Sequence, residues 1–486
     1  MTWSVRAALA MLGAAVSAIA HGQVVLQGDA QVFGLASPAT IAFDATGRVV
    51  THVAGRVRLR SGFDGTRAWS DDLGTPPRTL HLRERDEVRL LGAVLSGTWD
   101  DPHGPLVLAD GPLAEGGPAE VAFTFRDGRP GGTISLDASG RPVAMRLDAA
   151  QERGETRLSE WTRVGEVWAP MVVERSGGGG SVVMRFKPDG ATRPDLSSFA
   201  APEPTARAAF EGDARLEVKR AKTGHLLVKP RIDGREVGWF IFDTGAGATV
   251  LDKATASELG VEQFGSIPVG GIGGYVTSPL SMPKAFTLGP ATIHSPVLIT
   301  LDLAPIGAAI GEDLAGIVGY DLLSRVISEI DLARARISLH DPRAFDAGGA
   351  EWSPLIVYER HPCVKGAIEG HEGILKLDTG ANPAIMVTAP TVRRLGLLDG
   401  RETSPTRIGG SGGFREAAKG VLRSVSFAGT EVKDVQAVMA LPDDEGMGAL
   451  RDDGTMGSLG GPLLRRGVLV LDYLHERMML RPASAE

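Results

Sequence analysis

A chain of 486 residues and 51.0 kDa is long enough for two to four domains, each with its own core, which excludes a small cross-linked scaffold. Glycine (64) and proline (30) make up about a fifth of it while apolar residues stay at 43%, the profile of many short elements joined by tight turns. A formal charge of −8 without a basic cluster removes the electrostatic basis for binding nucleic acid, and the single cysteine, Cys363, excludes an intrachain disulfide, a thiolate zinc site and a C-x-x-C redox pair. Cys363 is expected to act as a small buried hydrophobe.

Met1 to Ala20 carries Arg6, then an apolar run from Ala7 to Ile19, and closes on Ala18-Ile19-Ala20, the layout of a secretory leader cleaved after Ala20. The run is too short to span a bilayer, no later stretch is long enough, and no cysteine follows it to carry a lipid. The expectation is a protein exported across the inner membrane to the periplasm, without stable membrane insertion.

Residues 21–199 alternate apolar and polar side chains between Gly, Pro and Asp turns, which predicts an antiparallel β-rich domain with helical periodicity only around Leu80 to Leu91. Ile41 to Val50 and Ile134 to Val143 resemble each other, and each reads as a hairpin around an Asp-x-x-Gly turn. Gly177 to Gly180 read as a hairpin tip, because no helix follows to present N–H groups to a phosphate. Prolines 194, 202 and 204 among alanines mark a linker, set at 200–215, before regions at 216–345 and 346–486.

Those two regions repeat each other. Ile232-Asp233-Gly234 leading to Asp243-Thr244-Gly245-Ala246 matches Ile368-Glu369-Gly370 leading to Asp378-Thr379-Gly380-Ala381, an offset of 135 at the aspartates. Gly270-Gly271-Ile272-Gly273-Gly274-Tyr275 matches Gly409-Gly410-Ser411-Gly412-Gly413-Phe414 at 139, while Gly319, Asp331, Arg336 and Leu339 match Gly460, Asp472, Arg477 and Leu480 at 141. An offset that only drifts upward describes one ancestral unit with a few insertions. In each copy an apolar strand runs into an aspartate in a glycine turn, a costly place for a carboxylate unless it is used. Two such carboxylates brought together share one proton and serve as general acid and general base.

With these motifs the chain resembles the aspartic peptidases of the retroviral, retropepsin-like type, a class whose paired aspartates are the best-known instance of such proton sharing. The active-site segment is Asp-Thr-Gly-Ala followed by Thr249-Val250-Leu251, the flap-like tip is Gly270 to Tyr275, and Ile317-Val318-Gly319 with Leu322-Leu323 resembles the element that closes each lobe. The resemblance covers about 220 to 486 and implies an all-β fold, the acid-protease β-barrel twice in one polypeptide. It further implies catalytic Asp243 and Asp378, support from Thr244, Gly245, Ala246, Thr379, Gly380 and Ala381, flaps at Gly270 to Tyr275 and Gly409 to Phe414, a peptide or protein substrate, and no cofactor. The histidines show no metal-ligand spacing, so no metal is expected. Neither glycine segment completes G-x-G-x-x-G before a helix, so a phosphate loop is the weaker reading. Because both half-sites lie in one chain, the catalytic unit is expected to be a monomer; pairing with a second chain is the competing arrangement.

The second copy departs from the first. Ser458 stands where the first has Ile317 and Pro462 where it has Asp321, which puts the support of Asp378 in question. Asp321 is expected to cap the short helix before Leu322-Leu323. Gly62-Phe63-Asp64-Gly65 with Trp69, and Trp161 to Pro170, faintly resemble the curved sheet of periplasmic lipoprotein carriers; tryptophans filling an ordinary β core is the plainer reading. A non-catalytic peptide or lipopeptide carrier on the same fold is the alternative function.

Overall fold

The computed structural model describes residues 23–109, 119–148, 154–177, 180–188, 199–441 and 454–482. The expected leader, together with residues 178, 179 and 194, lies outside them. The fold is all-β in two compact units, 1–72 with 79–203 and 73–78 with 204–486. No helix among the described residues is long and apolar enough to cross a membrane.

The first unit is built on a thirteen-stranded sheet whose pairs are antiparallel, running outward in both directions from the central pair Gln23–Val32 and Gly180–Phe186. Both Asp-x-x-Gly turns form as expected. Asp44 Oδ1 accepts from the Thr46 and Arg48 amides, and Asp137 Oδ1 from those of Ser139 and Arg141, while Gly47 and Gly140 take φ of 85° and 79°. The helical periodicity becomes the helix Leu82–Ser96, ended by Gly97 in the left-handed region. Its Val88, Val94 and Leu95 pack with Leu26, Ile41, Phe43 and Ile134 of the sheet in one apolar cluster. Trp69 is fully buried and donates from Nε1 to the Phe199 carbonyl. Gly177 pairs with Gly180 at the hairpin end.

In the second unit each copy of the repeat forms an eight-stranded sheet. The expected linker is partly ordered into the sheets, since Ala209–Phe210 pairs with Ala291–His294. A further five-stranded sheet combines strands of both copies: Ile327–Asp331 and Arg336–His340 from the first, Gly467–Asp472 and Arg477–Pro482 from the second. The central pair is antiparallel, with Ile327 opposite Asp472, Glu329 opposite Val470 and Asp331 opposite Val468. Glu329 and Val470 are equivalent at the offset of 141, so the register is symmetric about that pair. This is the self-complementary pairing that a two-fold relation demands. One core, containing Phe240, Phe242 and Val318 of the first copy and Leu375, Leu377 and Leu459 of the second, runs through both.

Candidate active site

The strands Trp239–Phe242 and His371–Leu377 deliver the two aspartates. Each is pinned to its own lobe by a backbone bond, Asp243 N to Val318 O (3.1 Å) and Asp378 N to Leu459 O (2.9 Å). Gly245 N then donates to Asp243 Oδ1 (2.7 Å) and Gly380 N to Asp378 Oδ1 (3.0 Å), folding each carboxyl over its own turn. Beneath them the threonines interlock across the lobes. Thr244 Oγ1 accepts from Thr379 N (3.0 Å) and donates to Leu377 O (2.8 Å); Thr379 Oγ1 accepts from Thr244 N (3.0 Å) and donates to Phe242 O (2.8 Å). Both side chains are buried, so four backbone groups are satisfied by two hydroxyls.

That lock sets the Asp243 and Asp378 carboxyls each against the other lobe's aspartate turn. A Cβ at Gly245 would stand 2.4 Å from Asp378 Cγ, and one at Gly380 2.4 Å from Asp243 Cγ. Each glycine therefore makes room for the opposite lobe's carboxyl. Burial is the largest influence and pushes both acids above the ordinary carboxyl value, Asp243 well above it, with the Asp378 charge adding to its rise. Partly buried carboxyls set together in this way do not both ionise cheaply, which favours one proton shared by the pair.

After each aspartate turn the sequence places a glycine-rich segment, and both segments are hairpin tips. Gln263–Gly271 pairs with Gly274–Ser281, and Thr403–Gly410 with Gly413–Phe427, so the tips are Ile272-Gly273 and Ser411-Gly412. The tips meet: Gly273 N donates to Ser411 O (3.0 Å) and Arg415 Nε to Ile272 O (3.0 Å). A Cβ at Gly273 would fall 2.1 Å from Gly412 C, so the approach needs glycine there. Ile272 packs into an apolar cluster of the second lobe formed by Ala381, Met386, Ala389, Ile408, Ala417 and Ala440. Tyr275 is half-buried, whereas Phe414 is exposed, with the Arg407 guanidinium over its ring.

The departures of the second copy have a structural account. Ser458 is the parallel-strand neighbour of Lys376, where the first copy pairs Ile241 with Ile317. A polar pair has replaced an apolar one, and the bond that pins Asp378 is kept. Asp321 is a correction: the short helix Tyr320–Leu323 has Gly319 as its N-cap, and Asp321 lies inside the first turn, buried, with Oδ2 accepting from Thr249 N. Burial raises its carboxyl above the ordinary value. Cys363 is buried, as expected of a small hydrophobe.

Residue-by-residue reading missed three groups near the dyad. Lys376 is buried two residues before Asp378, and its charge draws that carboxyl's value downward against burial. Tyr473 is buried with its hydroxyl unpartnered among the described residues, and burial, with Asp243 nearby, pushes it well above the ordinary phenol value. His225 of the first lobe reaches the Gly380 carbonyl of the second, Nε2 to O 3.0 Å. The signal for His225 was in the repeat, since His225, Val228 and Lys229 recur as His361, Val364 and Lys365 at an offset of 136.

Comparison with known proteins bears on the same region. The aspartyl protease family model matches residues 228–322 and 364–463, one stretch in each copy. Among solved structures, the chain is similar to a retropepsin-like aspartic protease from Rickettsia conorii, at 23% identity over 27% of this chain and 95% of that one, with a TM-score of 0.20. No curated protein matches. The duplicated region of this chain, with one Asp-Thr-Gly turn in each matched stretch, is thus similar to the aspartyl protease family.

Proposed function

We propose that the protein is an exported endopeptidase that hydrolyses peptide bonds with water activated by Asp243 and Asp378. The observation that carries this reading is the pair of partly buried aspartates, each packed against the other's glycine turn and both raised by desolvation, together with two glycine-rich hairpins whose tips touch. The pair with one proton offers a base and an acid together. The ionised carboxyl takes a proton from a water held between the two, and the oxygen adds to the peptide carbonyl carbon. The protonated carboxyl donates to the carbonyl oxygen as it gains charge. When the tetrahedral diol collapses, the C–N bond breaks, the amine leaves with the dyad's proton, and one diol hydroxyl returns its proton to the dyad as the carboxylic acid product forms. No covalent enzyme intermediate forms.

The hairpins serve as flaps. An extended peptide lies beneath their tips as an added strand, its backbone bonding to theirs. The tips must part to admit it, which releases the Gly273–Ser411 and Arg415–Ile272 bonds and the packing of Ile272. Export rests on the leader-like residues 1–20. The test is hydrolysis of a peptide library by the mature protein beside Asp243→Asn and Asp378→Asn. Cleavage by the wild type and by neither variant is the expected result, and cleavage unchanged in either variant overturns the reading.

A further inference from the structure

The bond between His225 and Gly380 crosses from one lobe to the active-site turn of the other. Gly380 is held on both sides. Its N–H donates to Asp378 Oδ1, while its carbonyl accepts from His225 Nε2. A carbonyl only accepts, so Nε2 carries the proton. Nδ1, 2.7 Å from the Thr223 hydroxyl, is then the acceptor of a neutral ring. The imidazole is 7% exposed, and burial holds it below its ordinary value of 6.5, which keeps it neutral.

The planar trans peptide turns this bond into control of the carboxyl. The Gly380 carbonyl belongs to the same peptide unit as the Ala381 N–H, and the two point in opposite directions. Fixing the oxygen on His225 sets the Gly380–Ala381 peptide, whose N–H donates to the Asp378 main-chain carbonyl (3.3 Å) and closes the turn in which the Gly380 N–H meets Asp378 Oδ1 (3.0 Å). The other lobe has its counterpart. The His361 ring lies against Gly247, four residues after Asp243, with Cε1 3.4 Å from a Cβ built there. Each lobe thus sends a histidine, from equivalent places in the repeat, to the aspartate turn of the other.

We infer that His225 is a positioning residue for the reaction, holding Gly380 from the other lobe so that the turn it closes orients the Asp378 carboxyl. The inference rests on the proposed peptidase function, because positioning of the dyad has meaning only if the dyad works. It concerns groups that do not touch substrate, so substrate affinity is left alone.

The test compares His225→Gln, His225→Asn and His225→Leu. The Gln amide reaches as far as Nε2 and can donate to Gly380 O; the Asn amide sits at the level of Nδ1 and falls short. Expected is kcat within about threefold of wild type for Gln, and a loss on the order of 10- to 100-fold for Asn and Leu with KM unchanged, the scale of a small misplacement of a reacting group. If Leu fails to fold, the Gln and Asn pair still decides. Equal activity of Asn and wild type overturns the inference, as does a rise in KM at constant kcat. A second readout needs no turnover: in alanine-15N protein the Ala381 amide resonance should shift in Asn and stay in Gln. Should the wild type cleave no peptide, the proposed function fails, while the amide shift still decides whether His225 orients this peptide.

Discussion

Replacing Thr244 by valine removes one hydroxyl and strands two backbone groups. The Thr379 N–H loses its acceptor and the Leu377 carbonyl its donor, both inside the interface between lobes. Valine matches threonine in shape, so no cavity opens and no water enters to replace the bonds. Each buried group left unpaired costs about 1–3 kcal/mol, so the pair costs about 2–6 kcal/mol, against a total stability of roughly 5–15 kcal/mol for a typical domain. The damage is directional, because the orphaned groups belong to the second lobe. Hydrogen exchange read by mass spectrometry on peptides covering 375–381 should quicken at least about 30-fold, the lower bound converted at 1.4 kcal/mol per tenfold. Peptides covering 240–246 should respond less. Thr244→Ser keeps the hydroxyl and should change exchange by less than about threefold, while Thr379→Val should reverse the asymmetry. Unchanged protection at 375–381 in Thr244→Val would refute the claim that this hydroxyl carries the interface.

Asp243→Asn and Asp378→Asn should each lower kcat/KM on the order of 10²- to 10⁴-fold and also raise stability near neutral pH. The folded carboxyls bind protons more tightly than the unfolded chain, so wild-type stability falls as pH climbs from the ordinary value of 3.8 through the raised one. The variants escape that loss, and the excess of their urea midpoint at pH 7 should shrink toward zero near pH 3; equal midpoints at pH 7 would contradict the raised values of the pair. Since both turns come from one chain, specific activity should hold constant on dilution, and a decline in step with dimer dissociation would show that the working site is shared between chains. Ala246→Ser adds a hydroxyl beside Asp243 that can donate to the ionised form and lower the pair's values. The upper limb of the kcat/KM pH profile should therefore move to lower pH, and a limb that stays or moves up would count against the hydrogen-bond argument. Chelators should leave hydrolysis unchanged, whereas a peptide mimic with a hydroxyl at the scissile position should inhibit it; loss of activity on chelation would point to metal chemistry.

Chemistry confined to a few neighbouring residues was readable in the chain. The turns at Asp44 and Asp137 close through bonds between residues two to four apart, so their composition suffices to specify them. Asp-Thr-Gly-Ala is likewise a local turn, and its recurrence in register with the glycine hairpins announced two half-sites. What each half-site faces is a long-range matter. The threonine lock joins residues 135 apart, and the glycines at 245 and 380 are required by the opposite carboxyl, which no local pattern displays. Asp321 was misread for that reason: its carboxylate accepts from Thr249, 72 residues away, and not from the N-terminus of its own helix. Ser458 looked like damage until the fold put Lys376 beside it. The order of residues was enough to specify a duplicated unit with one carboxyl turn per copy, because backbone conformation at a turn depends on its own residues. Folding alone settled that each carboxyl meets the other lobe's turn, that His225 holds the far turn, and that buried Lys376 and Tyr473 stand near them, because burial and charge are properties of what surrounds a side chain, and the neighbours come from the other lobe.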